Sequence, residues 1–240
     1  AVGYLAGSGS QGDNAVAVGY AAGKSGQITE AVAIGYSAGF NAQGQGAVAI
    51  GKDAGCADQA NDAIAIGTRA GQSAQGGSSI AIGVNAGKTS QGLTNVGIAI
   101  GTEAGCLNQS HNCVAIGYLA GRNDQGDQAV AIGSQAGQLD QADYNIAIGY
   151  QAGYNNQGGR CVSVGAFAGS VGSVQQGIAL GYEAGSVNQG VNGVQLGCQA
   201  GYYNCGTSTI SLGYQAGYSS QPASSWYISP GMIRNQGGSY

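Results

Sequence analysis

A glycine returns every sixteen residues along most of this 240-residue chain, with a single eighteen-residue step between Gly83 and Gly101. Fourteen units therefore cover the sequence from the first of these reference glycines, Gly3, to the last, Gly213. A sixteen-residue unit cannot hold a helix, its return and a strand, so each unit must pack on its neighbours. The repeat predicts an all-β fold, a parallel β-solenoid (β-roll) of about fourteen coils.

Other positions recur relative to the reference glycine. The residues three before and one before it are aliphatic, as in Val32 and Ile34, and we call them the aliphatic columns. Ala-Gly follows three and four residues after it, and a glutamine column lies eight after it in twelve units. We expect the aliphatic columns to fill the interior, Ala-Gly to form a tight corner, and the glutamines to form an amide ladder.

The residue between the two aliphatic columns is alanine in eleven units, and we call this position the alanine column. Because neighbouring strand residues point to opposite faces, the alanines should face outward if the aliphatic columns face inward. A long stripe of exposed alanines would mark a contact surface, so the pattern predicts association into a homotrimer or a filament. The interface candidates are Ala33, Ala49, Ala65, Ala81, Ala99, Ala115, Ala131 and Ala147.

Charge is sparse and scattered. Only 8% of the residues are charged, and the seven Lys and Arg residues form no basic stripe. This distribution argues against nucleic acid as a partner. The chain also lacks a run of about twenty apolar residues, so we expect no membrane span.

Candidate reactive groups are few. The single histidine, His111, lies between Cys106 and Cys113 in a spacing that is not typical of zinc sites. Two consecutive coils carry acidic pairs that could stack and bind Ca²⁺: Asp124, Asp127, Asp140 and Asp143. Arg122 could instead relieve their repulsion. We expect no cofactor and no enzymatic activity, because no nucleophile–base pair can be assembled from the sequence.

Cysteines offer two possible disulfides. Cys106 and Cys113 are seven residues apart, as are Cys198 and Cys205. Half a coil separates the members of each pair, which places them on opposite sides of one turn. A disulfide could join the two sides if the cross-section of the coil is flat enough. Buried thiols that replace small apolar residues are the alternative.

The C-terminal segment breaks the repeat. We divide the chain into a solenoid domain, residues 1–221, and a cap or docking tail, residues 222–240. Pro222 and Pro230 should stop strand pairing. Apolar side chains of the tail could then cover the open end of the core or seat against a neighbouring subunit; the end-docking candidates are Trp226, Tyr227, Ile228, Met232 and Ile233.

The repeats resemble a known family. Residues 47–51, 113–117 and 129–133 are similar to the S-V-A-I-G core of the YadA-like head repeats of trimeric autotransporter adhesins, which also occur in phage and giant-virus fibre proteins. The tail, residues 226–235, is similar to a junction that follows such repeats in some of these fibre proteins. The resemblance implies a left-handed β-roll that associates as three chains into a rod.

Two functions follow as expectations. The first is a non-enzymatic structural subunit of a fibre or filament, extracellular, at the cell surface or on a virion, whose partner is itself. The second is an adhesive rod that binds a surface receptor or a glycan through its tyrosine- and asparagine-rich turns.

Overall fold

The computed structural model describes residues 1–91, 96–173 and 175–229. These residues form a parallel β-solenoid with a sixteen-residue repeat and contain no helix, which confirms the predicted fold class. Each coil after the first contributes one three-residue strand to a long sheet and, in most coils, a second strand to the opposite wall, while the first coil joins both walls through isolated bridges at Val2 and Gln11.

The first wall, which we call the aliphatic sheet, has fourteen parallel strands in register. Equivalent residues of successive coils are paired in the register of the sheet; Val32, for example, pairs with Val48. The strands are β1 Val16–Val18, β3 Val32–Ile34, β5 Val48–Ile50, β7 Ile64–Ile66, β9 Ile80–Ile82, β11 Ile98–Ile100, β13 Val114–Ile116, β15 Val130–Ile132, β17 Ile146–Ile148, β19 Val162–Val164, β20 Ile178–Leu180, β21 Val194–Leu196, β23 Ile210–Leu212 and β25 Trp226–Ile228.

The second wall, the glutamine sheet, has nine strands, and a two-stranded sheet follows it. Isolated bridges at Val171 and Val187 join the two, so this wall also runs along the described rod. The strands are β2 Ser25–Gln27, β4 Asn41–Gln43, β6 Ala57–Gln59, β8 Ser73–Gln75, β10 Thr89–Gln91, β12 Leu107–Gln109, β14 Asn123–Gln125, β16 Leu139–Gln141 and β18 Asn155–Gln157, then β22 Tyr203–Cys205 and β24 Ser219–Gln221.

The core is built from alanine and glutamine, so the predicted orientation of the aliphatic sheet was wrong. From Ala17 onwards the alanine column points inward and is buried, whereas the aliphatic columns point outward. The predicted interface alanines are therefore inaccessible to a partner. All eight have no exposed surface: Ala33, Ala49, Ala65, Ala81, Ala99, Ala115, Ala131 and Ala147.

Glutamine explains this orientation. The Gln43 side chain is fully buried, and its amide nitrogen donates to the carbonyl oxygens of Val32 at 2.8 Å and Ala47 at 3.2 Å. The same pair of bonds recurs for Gln27, which reaches Val16 and Ala31. Because this amide crosses the coil, only methyl-sized side chains fit opposite it, and Val or Ile would overpack the site.

The amide ladder forms only in part. Gln59 donates to Gln75 at 3.2 Å and Gln109 donates to Gln125 at 3.1 Å. The recurring bonds run from the amide nitrogen to backbone carbonyls, as in Gln43. Each glutamine therefore mainly fastens the strand of the opposite wall, and the amide-to-amide bonds are secondary.

One coil exchanges the core residues. In the coil of Gly197, Cys205 replaces the glutamine and Gln195 replaces the alanine across the core. Gln195 is fully buried and donates to the Thr209 hydroxyl at 3.1 Å, while the Cys205 thiol donates to the Gly201 carbonyl at 2.9 Å. The core of this coil thus also holds one glutamine side chain, but it comes from the aliphatic sheet instead of the glutamine sheet.

The close spacing of successive coils requires glycine at the reference position. At Gly117, φ is +131°, and a Cβ atom would lie 2.6 Å from the carbonyl oxygen of Gly133. Both the backbone conformation and the contact exclude a side chain there. Left-handed residues other than glycine also recur, for example Glu103, Asn108 and Asn112 within one coil. Glu103 and Asn112 lie in turns, whereas Asn108 is the middle residue of β12, and the sequence pattern revealed none of these three conformations.

Candidate assembly surfaces

The outward face of the aliphatic sheet is a continuous apolar surface, which we call the aliphatic face. No residue of its two columns in the described coils is fully buried. Ile66, Ile82 and Ile148 each keep 36% of their surface exposed, and Leu196 keeps 45%. No charged residue occupies either column of the repeat.

The size of this face sets it apart from scattered surface apolar residues. Strands about 4.8 Å apart make fourteen of them roughly 65 Å long. Two columns about 7 Å apart make a strip roughly 10 Å wide, hence about 650 Å², which is above the range of the largest apolar patch on a typical monomer. An apolar strip of this extent is the kind of surface that marks an interface.

A tyrosine column borders the aliphatic face, one residue after the reference glycine. Its first three members, Tyr4, Tyr20 and Tyr36, stack at consecutive coils, with ring centroids 5.4 Å and 5.0 Å apart. Lys52 continues the column, and its ammonium lies 5.9 Å from the centre of the Tyr36 ring. Farther along the rod, Tyr150 packs edge-on against Phe167 at 5.1 Å.

The four aspartates proposed for Ca²⁺ do not converge. The Asp127 carboxylate accepts from the backbone N–H of His111 at 3.2 Å and lies 3.1 Å from its ring nitrogen Nδ1. Asp143 accepts in the same way from the backbone N–H of Asp127 at 2.9 Å. These carboxylates therefore serve as hydrogen-bond partners for backbone one coil earlier. Among the described residues, no group of three or more His, Cys, Asp or Glu side chains is placed to bind a metal.

The other two aspartates line a shallow groove on the glutamine sheet. Asp124 accepts from the Asn108 amide at 2.9 Å, and Asp140 and Asn156 follow in the same column. The groove has a volume of about 480 Å³, and Gly126, Ala142 and Gly158 are among the residues that line it. It lies on the wall opposite the aliphatic sheet, so a ligand there would leave the aliphatic face free.

Neither predicted disulfide forms. Cys113 is buried, with its thiol donating to the Gly126 carbonyl at 2.8 Å, and Cys106 is a free thiol in another part of the coil. Cys205 points into the core, whereas Cys198 lies half-buried in the outward tyrosine column. The two members of this second pair therefore face opposite directions.

Burial changes the acidity of the core thiols. Desolvation raises the pKa of Cys113 to about 11, and the negative charges of Asp127 and Asp143 add to this effect. Desolvation alone raises the pKa of Cys205 to about 12. Both thiols are therefore protonated at neutral pH and poor nucleophiles, which matches a packing role.

The start of the C-terminal tail continues the solenoid. Strand β25 pairs in register with β23, so that Tyr227 takes the core-facing position opposite Ser211. Tyr227 is half-buried at the end of the alanine column. The expectation that Pro222 stops strand pairing was wrong, because the solenoid continues past residue 221 to Ile228. Trp226 and Ile228 instead point outward, 76% and 48% exposed, and extend the aliphatic columns. Met232 and Ile233 lie outside the described residues.

Comparisons of this chain with family models, curated proteins and solved structures found no match. In the described part of the chain, no helix is long and apolar enough to cross a membrane. The exposures and contacts above are therefore the basis for a functional proposal.

Proposed function

We propose that this chain is a non-enzymatic structural subunit of a fibre or filament, extracellular, at the cell surface or on a virion, that assembles with copies of itself. The observation that carries the proposal is the uncharged aliphatic face, which runs along all fourteen strands of one wall. The resemblance to YadA-like head repeats agrees with it and favours three chains.

The area of the face fits an association between copies. A stable interface buries about 800 Å² on each partner, and the strip of about 650 Å² supplies most of that. The bordering tyrosine column could add the remainder, since Tyr118 and Tyr182 are about half exposed beside it. Every copy carries the same in-register columns, so two or three faces can interdigitate along their full length.

The edge of β25 offers a second, axial contact. Within the described residues, β25 has a strand neighbour on one side only. An unpaired strand edge accepts another strand in the same register, and Trp226, which is 76% exposed, would pack against the incoming coil. Lateral contacts through the aliphatic face and an axial contact at the edge of β25 together describe a fibre.

Charge placed on the aliphatic face tests the proposal. We expect the double variant Ile66→Lys and Ile148→Lys to abolish lateral association, because each lysine buries an unpaired charge in the interface. The matched control is Leu107→Lys on the glutamine sheet, where the leucine is 38% exposed against 36% for the two isoleucines. Analytical ultracentrifugation and negative-stain electron microscopy report the assembly state.

The assembly states of the parent chain and the variants decide whether the proposal holds. Multi-chain rods for the parent chain and for Leu107→Lys, with single chains for the double variant, support the proposal. A parent chain that sediments as a monomer at micromolar concentration would overturn it, as would a double variant that assembles like its control.

The polar groove on the glutamine sheet favours a second candidate, an adhesive rod that binds a receptor or a glycan. Asp124, Asp140 and Asn156 line this groove on the wall that assembly leaves open. Binding of a glycan array by the parent chain and its loss in Asp140→Ala, with assembly unchanged, would support this function. No binding to any glycan or cell surface would leave the structural role alone.

A further inference from the structure

Three phenol rings at consecutive coils form an exposed stack. Tyr4 and Tyr20 are 5.4 Å apart with 22° between their ring planes, and Tyr20 and Tyr36 are 5.0 Å apart with 7° between theirs. Their exposed fractions are 68%, 47% and 52%. Each ring is thus accessible to an oxidant while it already contacts the ring with which it could react.

We propose that Tyr4, Tyr20 and Tyr36 form an oxidative cross-linking site at which consecutive coils are joined by a dityrosine bond. The co-reactant is hydrogen peroxide, used by a haem peroxidase as the one-electron oxidant. The cross-link joins rings of one chain, so it can be tested on the dilute, unassembled chain, in which the tyrosine column stays exposed.

The reaction balances in atoms and electrons. The oxidised peroxidase removes one electron and one proton from each of two phenols, which leaves two phenoxyl radicals. The radicals couple through a new C–C bond between ring carbons next to the hydroxyl-bearing carbon. Each of these carbons then loses its hydrogen as a proton, and each phenol oxygen regains one. Overall, two tyrosines and one hydrogen peroxide give one dityrosine and two waters.

The register of the solenoid supplies the selectivity. Two rings held in contact react as neighbours within one molecule, which gives an effective concentration far above that of separate chains. The rings must slide from a stacked to an edge-to-edge arrangement, and half-exposed side chains on a surface column have room to do so. Tyr150 differs, because Phe167, its ring neighbour at 5.1 Å, has no phenol to oxidise.

The described chain contains a second stack of the same geometry. Tyr202 and Tyr218 lie 5.1 Å apart with 7° between their ring planes, and Tyr218 is 42% exposed. This pair lies in a different column, so it provides an independent instance of the same arrangement.

The test oxidises the full chain at low concentration with horseradish peroxidase and hydrogen peroxide, after accessible thiols have been capped with N-ethylmaleimide. Tyr20→Phe keeps the ring stack and removes the shared phenol of both N-terminal pairs. Tyr150→Phe is the matched control, because Tyr150 is 46% exposed and Tyr20 is 47% exposed. Dityrosine fluorescence gives the yield, and mass spectrometry of peptides from the single-chain gel band locates the bonds.

We expect the parent chain and Tyr150→Phe to give the same intrachain cross-links, between Tyr20 and Tyr4 or Tyr36 and between Tyr202 and Tyr218. Tyr20→Phe should lose all N-terminal cross-links and keep the C-terminal one, and its circular dichroism should match that of the parent. Intrachain dityrosine that is absent or involves Tyr150 as often as Tyr20 would overturn the proposal. Cross-links found only between chains would overturn it as well.

Discussion

Moving a glutamine across the core should reproduce the arrangement that the coil of Gly197 already contains. The coil of Gly35 has Ala33 in the alanine column and Gln43 opposite it. We consider Ala33→Gln and Gln43→Cys, alone and together, in the background Ala47→Thr. That background supplies the hydroxyl that Thr209 provides to Gln195.

The size of each effect follows from the contacts. Gln43→Cys removes two hydrogen bonds, to Val32 and Ala47, at about 1 kcal/mol each, and leaves a cavity, for a total of about 2–4 kcal/mol. Ala33→Gln inserts a long side chain into a site with no exposed surface and should cost about 3 kcal/mol or slightly more.

Together the two substitutions should cost far less than their sum. Cysteine vacates the space that the new glutamine fills, so we expect a coupling free energy of about 2–3 kcal/mol. Chemical denaturation of the Ala47→Thr background, the two single variants and the double variant measures this coupling free energy. The slope of the unfolding free energy against denaturant concentration should be the same for all four proteins. Additivity within about 0.5 kcal/mol would refute the view that the glutamine side chain determines which residues fit opposite it in the core.

Two further predictions concern the coil spacing and the buried thiols. Gly117→Ala should lower the free energy of unfolding by about 3 kcal/mol or more, because its Cβ would meet the Gly133 carbonyl at 2.6 Å. The control Gly77→Ala, whose Cβ would have its nearest neighbour at 3.6 Å, should stay within about 1 kcal/mol in the same denaturation assay; equal losses would exclude the steric reason. For Cys113, burial raises the folded pKa to about 11, so its contribution to stability is complete below the unfolded value near 9 and is lost as pH rises towards 11. Thermal unfolding between pH 8 and pH 11 should therefore show a smaller loss for Cys113→Ala than for the parent chain, and parallel curves would contradict this assignment.

Much of the fold could be predicted from the spacing of a few residue types. The reference glycines and the aliphatic pairs, such as Val32 and Ile34, predicted coils of sixteen residues and their parallel register. The glutamine column was recognised by its recurrence, but its burial in the core was not predicted. The left-handed conformation of Asn108, in the middle of β12, carried no such signal, since residues of many types occupy the equivalent positions.

The sequence predicted that one face of these strands forms a contact surface, but it did not identify which face. An apolar strand with two apolar faces indicates a partner for one of them. The choice of face went wrong, however, because strand alternation is symmetric: either Ala33 or its neighbours Val32 and Ile34 could point inward. The exposed columns were therefore assigned to the core and the buried column to the interface.

The sequence by itself determined the coil, its length and the identity of its recurring columns, because a strict period can be satisfied only by stacking equal units. Only the tertiary structure decided which column faces inward. The deciding element is the glutamine wall: Gln43 spans the coil to reach Val32, and the narrow space that remains accepts the Ala33 methyl group but not an isoleucine. The aliphatic side chains are consequently displaced to the surface, where they form the face on which the proposed assembly depends.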